Sequence, residues 1–176
     1  MPSEAVRDRA NHDSNNRPLL LVDVDGVLNP WEATDTPDGY HEYDFFPGER
    51  VLLSPDHGQL LRDLSKDFDL VWATAWEHRA NRFICPVLSI PELPVIEFPL
   101  AAPYFAVNKL PAVIQAVGDR PCAWIDDMHG VDHFDWADRR AAPTLIVAID
   151  PAIGFTADVA VRLAAWAQSL SADDHS

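Results

Sequence analysis

The chain has 176 residues, 48% of them apolar, and 13 Lys and Arg against 28 Asp and Glu give a formal net charge of −15. That length and apolar fraction describe one globular domain with a real core, not a disordered chain. The acidity argues against a broad basic footprint for a nucleic-acid backbone or an anionic membrane surface.

Residues 1–17 are polar, with Ser14-Asn15-Asn16 near their end. They hold no apolar segment of the signal-peptide kind and are expected to form a mobile tail. The domain is expected over 18–170, with a second tail at 171–176. No apolar run reaches the length of a membrane span, so a soluble cytoplasmic protein is expected, with no membrane partner. Cys85 and Cys122 form neither a CxxC nor a Cys/His cluster, and both are expected as buried, reduced thiols.

The first element is Leu19-Leu20-Leu21-Val22-Asp23-Val24, a short apolar run that ends in acid and glycine. Such runs suit strands buried on both faces of a parallel sheet. Next come Thr36-Pro37-Asp38-Gly39, a turn signal, and the flanking aromatics Trp31, Tyr40, Tyr43, Phe45 and Phe46; a β-hairpin flap over the sheet edge is expected. Residues 58–64 place Leu60, Leu61 and Leu64 on one helical face. Leu70-Val71-Trp72-Ala73 is a second strand, followed by a helix over 77–88. Pro94-Val95-Ile96-Glu97-Phe98 is a weaker third strand. Residues 109–117 set Leu110, Val113, Ile114 and Val117 at helical spacing. Cys122-Ala123-Trp124-Ile125 and residues 144–149 are the fourth and fifth strands, and a helix over 157–170 closes the chain. Alternating strands and helices predict a doubly wound, Rossmann-like α/β sheet of about five parallel strands. Ligands of such sheets bind at the carboxyl ends of the strands.

Those ends carry the distinctive chemistry. Asp23-Val24-Asp25-Gly26 follows the first strand, Thr74 the second, and Asp126-Asp127 the fourth, while Lys109 opens a helix. Clustered carboxylates repel one another and call for a cation, and hard oxygen donors suit Mg²⁺. A lysine and a threonine beside them bind the oxygens of an anion such as phosphate. Together these groups make an inventory for phosphoryl transfer through an aspartyl-phosphate.

At this level the chain resembles the haloacid dehalogenase (HAD) superfamily. Leu21-Val22-Asp23-Val24-Asp25-Gly26-Val27-Leu28 is similar to its first motif, hhhDxDGxL. Leu70-Val71-Trp72-Ala73-Thr74 resembles the second, Lys109 the third, and Ala123-Trp124-Ile125-Asp126-Asp127 the fourth, in the family's order. The resemblance implies a Mg²⁺-dependent phosphatase in which Asp23 attacks phosphorus. Asp25 then protonates the leaving group and later activates water. It implies that Thr74, Lys109 and Gly26 hold the phosphoryl group. It further implies that Asp23, Asp127 and the Asp25 carbonyl bind the metal, with Asp126 binding it through water or orienting Lys109. Asp132 stands where some members carry an auxiliary acid. The segments from Asp23 to Thr74 and from Thr74 to Lys109 leave no room for a separate cap domain. The finer pattern, Val71-Trp72-Ala73-Thr74-Ala75-Trp76-Glu77 and Asp150-Pro151-Ala152-Ile153-Gly154-Phe155-Thr156 included, resembles the HAD domain of bacterial Swiss army knife RNA-repair proteins. A phosphorylated substrate is implied, with a nucleic-acid end among the candidates and no extended nucleic-acid contact. A phospho-acceptor module and a non-catalytic HAD-like interaction module are the alternatives. A receiver-type acceptor would end its third strand in Asp, which residues 94–98 do not.

Several residues carry two readings. Thr74 and Glu77 have capping-box spacing, which is compatible with phosphate contact because helix N-termini favour anions. Trp72 and Trp124 are expected in the core. Trp31 and Trp76 follow motifs and are candidate stacking surfaces for a substrate ring. Arg79 and Arg82 suit a solvated helix face, with Arg79 a candidate substrate contact. His129 and His133 are expected as loop histidines, with His129 a candidate substrate contact beside the acidic pair.

Overall fold

The computed structural model describes residues 17–99 and 108–173. The tail expected over 1–17 lies outside these residues except for Arg17, whose guanidinium donates to the Phe68 carbonyl at 2.8 Å.

Four strands build the main sheet: β1 (Leu19–Val22), β4 (Asp69–Trp72), β5 (Cys122–Asp126) and β6 (Thr144–Ala148), in the order β4-β1-β5-β6 and all parallel. The central strands are continuous apolar runs because both faces are covered. Alternation along β1 assigns its residues to the two faces. Leu20 and Val22 join one core with Leu61, Leu88, Phe155 and Leu163, whereas Leu19 and Leu21 join a second with Val113, Val117 and Trp124. The first face is packed by α1 (Asp56–Leu64), α2 (Cys85–Leu88) and the closing helix α5 (Ala157–Asp173). The second is packed by α3 (Leu110–Val117) and, through Trp136 and Ala137, by α4 (Val131–Arg139). Trp72 and Trp124 are fully buried, and both cysteines are buried and free.

Six sequence expectations change in detail. The third strand, expected over 94–98, is reduced to one parallel bridge, Val95 to Trp72, held by Trp72 N–H to Pro94 O and Ile96 N–H to Trp72 O, each 2.9 Å. Pro94 has no N–H to extend the ladder on one side, and on the other Phe98 N–H is diverted to the Glu77 carboxylate at 2.8 Å. The hairpin exists as β2 (His41–Tyr43) against β3 (Val51–Leu53), but the Thr36-Pro37-Asp38-Gly39 turn precedes it; its tip is the 44–50 segment. The helix expected over 77–88 starts late. Glu77 sits at φ 48°, and a π-helical turn (Ala80–Ile84) leads into α2. The Thr74–Glu77 capping box does not form, because the Glu77 carboxylate accepts from Phe98 N–H at 2.8 Å instead. Finally, α4 occupies a stretch expected as a loop, and α5 runs on through Asp173 into the segment expected as a tail. Among the described residues, no separate cap domain stands over the sheet and no helix is long and apolar enough to cross a membrane.

Candidate active site

The sheet register assembles the site. Val22 pairs with Trp72 on one side and Ile125 on the other, so the residues that follow, Asp23, Ala73 and Asp126, come level at the carboxyl edge. Asp23 N–H continues the ladder to Ile125 O at 3.2 Å, and Ala73 N–H to Val22 O at 2.9 Å. Lys109 stands at the N-terminal boundary of α3, whose apolar face anchors it beside the sheet.

Lys109 Nζ lies 2.7 Å from both Asp23 Oδ2 and Asp126 Oδ2, and all three side chains are nearly buried. The remaining oxygens are also engaged. Val24 N–H donates to Asp23 Oδ1 at 2.8 Å, and Met128 N–H to Asp126 Oδ1 at 2.9 Å. Burial pushes the Asp23 carboxyl up to about 7; the Lys109 charge opposes this, Asp126 reinforces it, and the Thr74 hydroxyl bond opposes it. Burial pulls Lys109 the other way, but the two carboxylates more than reverse it and hold the ammonium above its ordinary range. Asp127 is half-buried, and desolvation raises its carboxyl. Thr74 is buried, and its Oγ1 accepts from Trp76 N–H at 3.3 Å.

Asp23, Asp126 and Asp127 each present an oxygen, and all three lie within 4.8 Å of one another. Three carboxylates against one shared lysine leave excess negative charge on hard donors, which fits a divalent cation. Gly26 makes this approach possible. It sits at φ 76°, and a Cβ there would fall inside the Asp127 carboxylate. Gly26→Ala is therefore expected to lower divalent-cation affinity by about tenfold or more, because strain and the clash move Asp127. Calorimetric titration of the variant with Mg²⁺ measures this directly.

Asp25 stands on the wall of the same cleft, a space of about 710 Å³ whose lining includes Asp23, Asp126, Asp127, Trp31, Arg50 and His133. Its Oδ1 accepts from Asn29 Nδ2 and its Oδ2 from Trp76 Nε1, both at 2.8 Å. Asn29 also accepts from Leu52 N–H of the hairpin at 2.9 Å. Sequence reading missed Asn29, although its place four residues after Asp25, directly behind the first motif, was a signal.

The secondary candidates divide. Trp31 is 52% exposed in the cleft and donates its indole N–H to Asp127 Oδ2 at 3.3 Å. Trp76 lines the cleft but is only 3% exposed; its ring packs against Phe45 and Phe46, which Phe83 backs, and its N–H edge is turned to Asp25. Arg79 does not line the cleft; its guanidinium donates to the Trp76 and Ala75 carbonyls and lies 5.5 Å from the Phe46 ring centre. His129 turns away as well: its Nε2 meets Trp124 O at 3.1 Å, its ring packs edge-on against Trp124, and burial lowers its pKa to about 4. His133, in the first turn of α4, lines the cleft and accepts from Gly130 N–H at 3.0 Å. Asp132 is not among the lining residues and instead lies 3.0 Å from His133 Nδ1.

A family model described as the HAD domain in Swiss Army Knife RNA repair proteins matches residues 19–160. No curated protein matches the chain. HAD domains are in general phosphoester hydrolases that use a divalent metal, and the acidic triad supplies donors for one. With the match spanning most of its length and the motif residues gathered at one sheet edge, the chain belongs to the family of HAD domains found in Swiss Army Knife RNA repair proteins.

Proposed function

We propose that this domain is a Mg²⁺-dependent phosphomonoesterase that acts through an aspartyl-phosphate on accessible terminal phosphates, with a nucleic-acid end as the leading candidate. The observation that carries the reading is the convergence of Asp23, Asp25, Lys109 and the Asp126-Asp127 pair on one open cleft, with the buried Thr74 hydroxyl bonded to Asp23 behind them.

The Asp23 carboxylate attacks phosphorus, an Asp23 oxygen–phosphorus bond forms, and the ester oxygen leaves with a proton from Asp25. Water then gives its proton to Asp25 and attacks phosphorus, which releases phosphate and restores Asp23. Thr74 and Lys109 hold the phosphoryl oxygens, and the Lys109 charge favours the ionised form of Asp23 against its burial. Asp23, Asp126 and Asp127 would hold Mg²⁺, which when bound offsets their charge and that of the phosphoryl group.

Charge limits the footprint. Lys109 and Arg50 are the cationic side chains of the cleft lining. Lys109 is committed to two carboxylates, and Arg50 to Glu42, Ala33 O and Thr36. A long polyanion finds no basic track here, so recognition rests on the terminal phosphate. The reading places the protein in the cytoplasm, where thiols such as Cys85 and Cys122 stay reduced.

The test is phosphate release from a panel of nucleotides, sugar phosphates, phosphopeptides and oligonucleotides bearing 5′- or 3′-phosphate. Release from oligonucleotide ends that EDTA abolishes and Mg²⁺ restores is expected. Release from small monophosphates alone would remove the nucleic-acid end from the proposal.

A further inference from the structure

We propose that Trp76 is a positioning residue for Asp25, and that the hairpin flap acts on the reaction through it; the proposal rests on the phosphatase reading above. Among the described residues, Asp25 has no cationic partner of the kind Asp23 has. Its two oxygens are instead held by two neutral donors, Trp76 Nε1–H and Asn29 Nδ2–H, each at 2.8 Å. Each carboxylate oxygen has two lone pairs, so one on each remains for substrate or water. Neutral donors direct the group without setting a positive charge beside a carboxyl that must give and retake a proton.

The indole is itself held from several sides. Trp76 N–H donates to Thr74 Oγ1, and the Arg79 guanidinium donates to the carbonyls of Trp76 and Ala75. The next residue, Glu77, takes the left-handed φ of 48°, a conformation costly for a residue with a side chain. Its carboxylate is tied to Phe98 N–H. Above the ring lie Phe45 and Phe46 from the hairpin tip, with centroids at 6.2 and 5.3 Å, and Phe83 packs on both. The other donor, Asn29, is likewise tied to the hairpin through Leu52 N–H. Both holders of Asp25 are thus fixed by the β2–β3 hairpin, which lies far from phosphorus chemistry in sequence and next to it in space.

A residue that only filled the core would affect all substrates alike. A residue that aims the proton donor matters most where the leaving oxygen needs the proton. The experiment compares an alkyl ester, glycerol phosphate, with p-nitrophenyl phosphate, whose leaving group departs unprotonated. In Trp76→Phe, kcat for the alkyl ester is expected to fall about ten- to a hundredfold with KM nearly unchanged. The nitrophenol burst, which reports phosphorylation of Asp23 alone, is expected to hold its wild-type rate. Because the smaller ring can unsettle the core, the same assays are run with Trp76 replaced by 3-benzothienylalanine, which keeps the shape and lacks the N–H. A nitrophenol burst slowed as much as the alkyl kcat, or an unchanged alkyl rate with the analogue, overturns the proposal. A second readout does not depend on turnover. The Trp76 indole ¹H–¹⁵N signal, identified by its loss in Trp76→Phe, is expected to move upfield and exchange faster in Asp25→Ala. An unmoved signal refutes the bond. A wild-type chain that releases phosphate from neither ester nor any member of the panel above overturns the phosphatase reading and the catalytic role with it, while the indole signal still reports the bond.

Discussion

Asp23→Asn is expected to reduce phosphate release by about 10³-fold or more while leaving the fold intact. The amide keeps the shape of the side chain and can still accept from Val24 N–H, but it cannot form the covalent intermediate. Stability should hold or rise. Burial opposes the Asp23 charge, and Lys109 keeps its second carboxylate partner, Asp126. The two measurements are phosphate release on the best substrate of the panel and a thermal melt of the same sample. Turnover that survives the substitution unchanged would show that another group attacks phosphorus.

Lys109→Met carries the second large effect, and it moves stability and activity together. Among the described residues, the lysine is the only cation in contact with both buried carboxylates, Asp23 and Asp126. Removing one partner from a buried ion pair leaves its charges uncompensated and typically costs about 3–5 kcal/mol. Without divalent cation, a clear drop in melting temperature near neutral pH is therefore expected. Added Mg²⁺ should restore part of it, because a cation held by Asp23, Asp126 and Asp127 offsets the same charges. Activity should stay down by about a hundredfold or more even then, since the phosphoryl oxygens lose a donor that the metal does not replace. A melt insensitive to the substitution would mean that the ammonium contributes nothing net to the fold. Full activity with Mg²⁺ would remove Lys109 from the phosphate cradle.

The parts of the fold written into short windows were legible. β1, β4, β5 and β6 are unbroken apolar runs because sheet strands covered on both faces need them. The motif acids were legible for a related reason. A strand that ends in Asp places a carboxylate at its carboxyl edge, and the parallel register lines up those edges without further instruction. What escaped notice has weak local signals. α4 has no buried residue, and it is fixed by Trp136 and Ala137 packing on the Trp124 face. The bridge at Val95 is a strand in composition, yet Pro94 cannot donate and Phe98 N–H is taken by Glu77, which stops the pairing at one residue. The hairpin tip moved because Thr36-Pro37-Asp38-Gly39 makes a turn wherever it stands, and only the His41–Leu53 register says which turn joins the strands.

The two tryptophans show where the sequence alone stops. It determined the α/β class, the strand ends and the identities of the acids, the threonine and the lysine, because each depends on a local pattern of burial and polarity. It placed Trp31 and Trp76 alike, each a few residues past a motif. Tertiary structure separated them. Trp31 stays exposed in the cleft and reaches Asp127 across 96 residues of chain, while Trp76 is buried beneath the hairpin and reaches Asp25 across 51. The same holds for His129, which neighbours the acidic pair in sequence and turns back to the Trp124 carbonyl in space. A side chain's direction is set by what packs against it, and here the packing partners come from segments that no short window contains.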